Sequence, residues 1–176
     1  MRKVVLYIAV SLDGYIADEK GGVGWLSGQE KDRETDCGYE DFIQGVDTVI
    51  MGRRTYEQIV TELSPDFWPY EGKESIVLTH RPMEKKAGVL CAAGPVREIL
   101  DEKKKGRGGD IWICGGAQVA GQCIEEDLID EYRLSILPVL LGKGVPLFPK
   151  GGRTIPLRLV SGGWENGILN CAYVRR

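Results

Sequence analysis

An α/β fold, with helices on both faces of a mixed and mostly parallel sheet, follows from the order of hydrophobic segments in this chain. Three observations predict it. Short runs rich in valine and isoleucine recur at 4–10, 48–51, 75–79, 89–91 and 110–114. Segments with helical spacing or composition lie between them or just after, at 32–44, 54–62, 96–105 and 117–125. The end of the chain then changes character: 132–137 reads as another strand, and 157–160 and 168–174 flank the turn-rich stretch Ser161-Gly-Gly-Trp-Glu-Asn-Gly167, which predicts a C-terminal antiparallel hairpin.

Each element has its own reason. Val4 to Val10 is apolar without alternation, as a strand covered on both faces requires. It follows Arg2-Lys3, yet it is short and leads into Ser11-Leu-Asp-Gly14 with no small-residue cleavage pattern, so it is a strand and not a signal sequence. Asp13 is placed to stabilise a turn before Gly14. The run at 48–51 carries β-branched residues and ends at Gly52, and Tyr56 to Val60 can begin a helix, so Gly52 falls at a strand-to-helix turn. Gly21-Gly-Val-Gly-Trp25 and Ser64-Pro-Asp-Phe-Trp-Pro-Tyr70 are irregular stretches carrying aromatics, and both read as loops over a site. Trp25 and Trp68 there either stack on a substrate or pin their loops to the core.

A length of 176 residues suits one domain, 1–176, with a core large enough to need no metal or disulfide staple. The net charge of −3, from interspersed acidic and basic residues, offers no field to hold a nucleic acid, while leaving room for a small anionic ligand held by a few arginines. Five cysteines without paired metal-type spacing favour thiols in a reducing cytoplasm, and no metal site is expected. No run approaches the roughly 18 apolar residues of a membrane helix.

The stretch Met51-Gly-Arg-Arg-Thr-Tyr56 has the chemistry of a phosphate cradle. Glycine lets the backbone approach a ligand, the free N–H groups of a helix start favour an anion, and Arg53, Arg54 and Thr55 add charge and a hydroxyl. A glycine ending a strand before a solvated helical turn has the same pattern, so the motif alone leaves both readings open.

Four segments in order resemble the dihydrofolate reductase-like fold, a three-layer α/β arrangement: Ser11-Leu-Asp-Gly-Tyr-Ile-Ala17, Met51-Gly-Arg-Arg-Thr-Tyr56, Val77-Leu-Thr-His-Arg81 and Ile113-Cys-Gly-Gly-Ala117. Within that fold the chain is most similar to the C-terminal reductase domain of the bifunctional riboflavin biosynthesis enzyme, a likeness that extends to Leu137-Pro-Val-Leu-Leu-Gly-Lys-Gly-Val-Pro-Leu-Phe148. The resemblance implies an NADPH site at the carboxyl ends of the parallel strands. It assigns backbone groups of Ala9 and Ile16 to the nicotinamide carboxamide, and Gly52, Arg53, Arg54 and Thr55 to the phosphates. It assigns Leu78, Thr79, His80 and Arg81 to the adenosine side, where Arg81 or Arg53 can pair a 2′-phosphate, and Cys114, Gly115, Gly116, Ala117, Gln118 and Val119 to a second helix start against the pyrophosphate. A homodimer is also implied.

Reducing a C=N or C=O bond needs a hydride and a proton, and a carboxyl group whose pKa is raised by burial can supply the latter. Asp36, 16 residues before Gly52, stands where dihydrofolate reductases carry a helix acid, with Asp32, Glu34, Glu40 and Asp41 on the same expected helix. In the riboflavin-pathway reductases a glutamate precedes the twin glycines; here Cys114 stands in its place. The expected activity is NADPH-dependent reduction of a small, pterin- or pyrimidine-like substrate, and the competing expectation is a non-catalytic NADP(H)-binding protein.

Overall fold

The computed structural model describes residues 2–30, 32–33, 35–148 and 151–176. Eight strands form one sheet: β1 (Val4–Ser11), β3 (Val46–Gly52), β4 (Glu74–Leu78), β5 (Val89–Ala92), β6 (Asp110–Gly115), β7 (Glu131–Leu137), β9 (Leu157–Glu165) and β10 (Ile168–Arg175), in the order β5-β4-β3-β6-β1-β7-β10-β9. The strands from β5 to β7 in that order are parallel. The reversal comes at β10, antiparallel to both β7 and β9, as the expected C-terminal hairpin demands.

Alternation along the strands divides the core in two. Val4 and Leu6, with Ile50, Ile111 and Ile113, pack against Val96 and Leu100 of α3 (Val96–Lys105) and Val119, Ala120 and Cys123 of α4 (Ala117–Glu125). Val5, Val49, Met51 and Trp112 point to the other face, against Phe42 of α1 (Tyr39–Gln44) and Tyr56 of α2 (Arg53–Gln58). Both faces are therefore covered, which is why these strands are continuously apolar. After α2 the chain widens into a π turn, Ile59–Leu63, closed by the Ser64 N–H donating to the Ile59 carbonyl at 2.8 Å.

Two expected elements differ. The helix expected over 32–44 is helical only over Tyr39–Gln44, because Cys37 (φ 54°) and Gly38 (φ 79°) take left-handed conformations that no helix can pass through. Asp32 therefore precedes the helix, Glu40 and Asp41 sit in its first turn, and Glu34 lies outside the described residues. The hairpin is longer than expected. Residues 161–165 continue β9, and the turn is only Asn166-Gly167 (φ 48° and 75°), the positive-φ pair that matches strand twist in a two-residue hairpin. A small second sheet pairs β2 (Tyr15–Ala17) with β8 (Val145–Pro146), elements too short to show a period in the sequence.

Candidate functional site

Strands β3 and β6 end in glycine, and the helices that follow start side by side. Gly52 caps α2 and Gly116 caps α4, neither helix having a side-chain cap to occupy its first N–H groups. A methyl on Gly116 would lie 3.1 Å from Thr55 Oγ1; one on Gly52 would lie 3.4 Å from Val119 Cγ2 and 3.7 Å from the Gly116 nitrogen. The two turns are thus as close as glycine permits. Their positive dipole ends converge on one spot, the arrangement an anionic diphosphate fits.

Gly52, Thr55, Gly115, Gly116 and Val119 are brought together as the sequence predicts, and Leu78 stands beside Gly52 in the β3–β4 register. Thr79 Oγ1 accepts from the Arg81 N–H at 3.1 Å, forming a small turn that leaves His80 and Arg81 exposed at the strand end. Arg53 pairs with Glu57 at 2.6 Å one helical turn on, and Arg54 is exposed. Ala117 and Gln118 line a groove of about 450 Å³ along α4, together with Gly121 and Gln122. Cys114 turns its thiol away from the cradle, 3.5 Å from the Tyr70 hydroxyl. Burial lifts that thiol to about 11, with the Tyr70 contact opposing, and the side chain packs against the aromatic core.

A cleft of about 510 Å³ opens beside the cradle, with Tyr7, Ile8 and Ala9 of β1 lining it along with Trp112 and Ser135. Ile8 joins the two regions, its Cδ1 lying 3.8 Å from where a methyl on Gly115 would be. Residues Leu26 to Gly28 and Asp36 to Cys37 contribute further lining. This loop is tied down by the hairpin turn. Buried Asn166 accepts the Glu30 N–H at 2.8 Å and donates to the carbonyls of Glu30 and Arg33 at 2.9 and 2.6 Å. On the other side of β1, Asp13 does more than stabilise its own turn. It accepts from Ser11 Oγ at 2.6 Å and from the N–H groups of Leu141 and Gly142 at 3.1 and 2.7 Å, clamping two loops together. Ile16, half-buried, follows in β2 and packs on the core.

Asp36 departs from expectation, and the two tryptophans take the loop-pinning one of their two readings. Asp36 lines the cleft, but its carboxylate is exposed and accepts the N–H groups of Glu40 and Gly38 at 3.0 and 3.1 Å. Those bonds, Glu40 foremost, hold its pKa below the ordinary carboxylate value, so the expected raised pKa is corrected to a lowered one. Trp68 lies in the aromatic cluster, 5.1 Å edge-on to Tyr70 and 5.6 Å from Tyr56, with Nε1 donating to Ser75 Oγ; it pins a loop and does not line the cleft. Trp25 is half-buried, donates to the Gly22 carbonyl of its own loop, and leaves the lining to its neighbours Leu26, Ser27 and Gly28. The residues not anticipated are Tyr7, Ser135 and Asn166. A tyrosine inside an aliphatic strand and an Asn-Gly pair were the signals for the first and last; Ser135 had none.

The family model described as RibD C-terminal domain matches residues 2–162. The chain belongs to the RibD C-terminal domain family. The protein YwjB of Bacillus subtilis (strain 168), itself uncharacterised, is 45% identical over 175 residues, covering 99% of this chain and 98% of its own. A crystal structure from Shewanella sp. PV-4, of a protein provisionally assigned to riboflavin biosynthesis, superposes with a TM-score of 0.86 at 30% identity, covering 99% of both chains. Dihydrofolate reductase from Enterococcus faecalis, complexed with NADP(H) and RAB-propyl, superposes with a TM-score of 0.67 at 21% identity over 98% of this chain and 96% of that one. The RibD C-terminal fold of this chain is thus the dihydrofolate reductase-like fold. Among the described residues no helix is long and apolar enough to cross a membrane, and no cluster of His, Cys, Asp or Glu is arranged for a metal ion.

Proposed function

We propose that this protein is an NADPH-dependent reductase acting on a C=N or C=O bond of a small pterin- or pyrimidine-like substrate. The observation that carries the reading is the convergence of the Gly52 and Gly116 helix starts next to a cleft of about 510 Å³. A cradle that a single methyl would begin to fill fits a diphosphate, and membership of the RibD C-terminal family supports the same cofactor. Bound there, NADPH supplies the hydride. Gly52, Arg53, Arg54 and Thr55 would hold the phosphates with the second helix start at residues 114–119; Leu78, Thr79, His80 and Arg81 would serve the adenosine side, where Arg81 or Arg53 can pair a 2′-phosphate; Ala9 and Ile16 would orient the nicotinamide end. The aromatic and apolar floor at Tyr7, Ile8 and Trp112 suits a flat heterocycle.

Five cysteines without a disulfide fit a reducing cytoplasm. A homodimer is supported by the sheet edge, where Leu159, Val160, Trp164 and Leu169 are exposed, Trp164 by 79%. The second reading, a non-catalytic NADP(H)-binding protein, is favoured by one observation: the Asp36 carboxylate is held in its charged form. Titrating the purified protein with NADPH and NADH, then following nicotinamide oxidation with dihydropterins and aminopyrimidines, tests both. Tight NADPH binding with turnover is the expected result. Binding without turnover moves the conclusion to the second reading, and absence of binding overturns both.

A further inference from the structure

With Asp36 committed to its own turn, the cleft needs another proton source, and the sequence of contacts at its floor offers one. Tyr7 is half-buried in β1, two residues before Ala9, its ring edge-on to Phe42 at 4.7 Å. Its hydroxyl donates to the Cys37 carbonyl at 2.9 Å. Ser135 of β7, buried and paired in register with Ala9, lines the cleft beside it and bonds Asn170 Oδ1 at 2.8 Å. An aliphatic residue at position 7 would satisfy the strand equally well. Instead a phenol on β1 and a serine on β7 line the same cleft, the serine bonded to Asn170 of β10.

Resting on the reductase reading above, we infer that the Tyr7 hydroxyl is the proton donor of the reaction, held at the cleft by the Cys37 carbonyl it bonds. The step balances as follows. The carbon of the substrate's C=N or C=O bond takes the hydride that NADPH supplies, the bond's electron pair moves to the nitrogen or oxygen, and that atom takes the Tyr7 proton. The double bond is reduced to a CH–NH or CH–OH group, the nicotinamide is oxidised, and the Tyr7 phenolate recovers its proton from solvent. A phenol can serve because an amine or alcohol anion is far more basic than a phenolate, so transfer runs downhill without a carboxylic acid.

The groups facing Tyr7 are Asp36 and Cys37 ahead of α1, Tyr39 on α1, and Arg133 and Ser135 on β7. Burial is the main cause that raises its pKa, with nearby Ser135 opposing; Asp36 and Cys37 add to the rise and Arg133 counters it. The hydroxyl therefore carries its proton throughout the neutral range.

Tyr7→Phe keeps the ring and removes the hydroxyl. Against whichever dihydropterin or aminopyrimidine the wild-type protein reduces, Tyr7→Phe is expected to lower kcat by about 100-fold or more while KM and NADPH affinity stay within about threefold. In the ligand-free protein, tyrosinate absorbance titrations of wild type and Tyr7→Phe should differ by one phenol ionising above the ordinary tyrosine value. A Tyr7→Phe variant with kcat within threefold of wild type overturns the inference and leaves the reductase reading standing. So does an Asp36→Asn variant that loses more kcat than Tyr7→Phe. A wild-type protein that reduces nothing on the panel overturns the reductase reading and this inference with it.

Discussion

Replacing Gly116 with alanine puts a methyl group 3.1 Å from Thr55 Oγ1, at the mouth of the phosphate cradle. The backbone at Gly116 (φ −83°, ψ −162°) is extended and open to any residue, so no conformational strain enters. The methyl needs Thr55 to give by a few tenths of an ångström, while alanine lowers the entropy of the unfolded chain, a gain of about 0.4–1 kcal/mol. Stability should therefore stay within about 1 kcal/mol of wild type. Binding should not. A phosphate that reaches the first N–H groups of α4 loses one charge-assisted hydrogen bond when the methyl holds it off, about 1.5–3 kcal/mol, or about 10- to 150-fold in Kd. Calorimetric titration with NADPH, run beside a thermal melt, measures both. Gly121→Ala is the control: it lies on the same helix, its methyl would meet nothing within 4 Å, and it should hold or raise Tm without weakening NADPH. A Gly116→Ala protein that binds NADPH within twofold of wild type would refute the cradle.

Two further outcomes test the loops that frame the cleft. Asn166→Ala removes three side-chain hydrogen bonds to residues 30 and 33 and puts alanine at φ 48°, so unfolding in denaturant should show a loss of about 2–4 kcal/mol; Asn166→Gly, free of the strain, should recover only the conformational part. Asp13, whose pKa is lowered chiefly by Ser11 and also by the Gly142 and Leu141 N–H groups, contributes its clamp fully above the unfolded carboxylate value of 3.8 and loses it as pH falls through the lower folded value. Amide protection at residues 139–144, taken relative to the intrinsic exchange rate at each pH, should accordingly fall at acid pH, and Asp13→Asn should show low protection at every pH; wild-type protection independent of pH would contradict the clamp.

The parallel strands, the helices at 96–105 and 117–125 and the terminal hairpin were legible because each is a local pattern: continuous apolar runs, helical spacing, a turn-rich link. The two glycine turns were legible for a related reason, since glycines that end strands and start helices allow a close approach wherever the strands are neighbours. What failed was local rivalry. Cys37 and Gly38 adopt left-handed conformations that cut the acidic helix short, and Asp36 then spends its carboxylate on the turn it was expected to leave free. Trp68 sat on a loop in the sequence and in an aromatic cluster in space.

From the sequence alone came the α/β class, the family resemblance and the two glycine-capped turns, because short-range chemistry dictates strands, helix starts and close approach. Only the tertiary structure decided which turns touch, which acid is committed to its own backbone, and which hydroxyl faces the cleft. Gly52 and Gly116 are 64 residues apart, and Tyr7 and Ser135 are 128 apart. Pairing at such separations is set by sheet order and register, which place β3 beside β6 and β1 beside β7, and no local pattern carries that information.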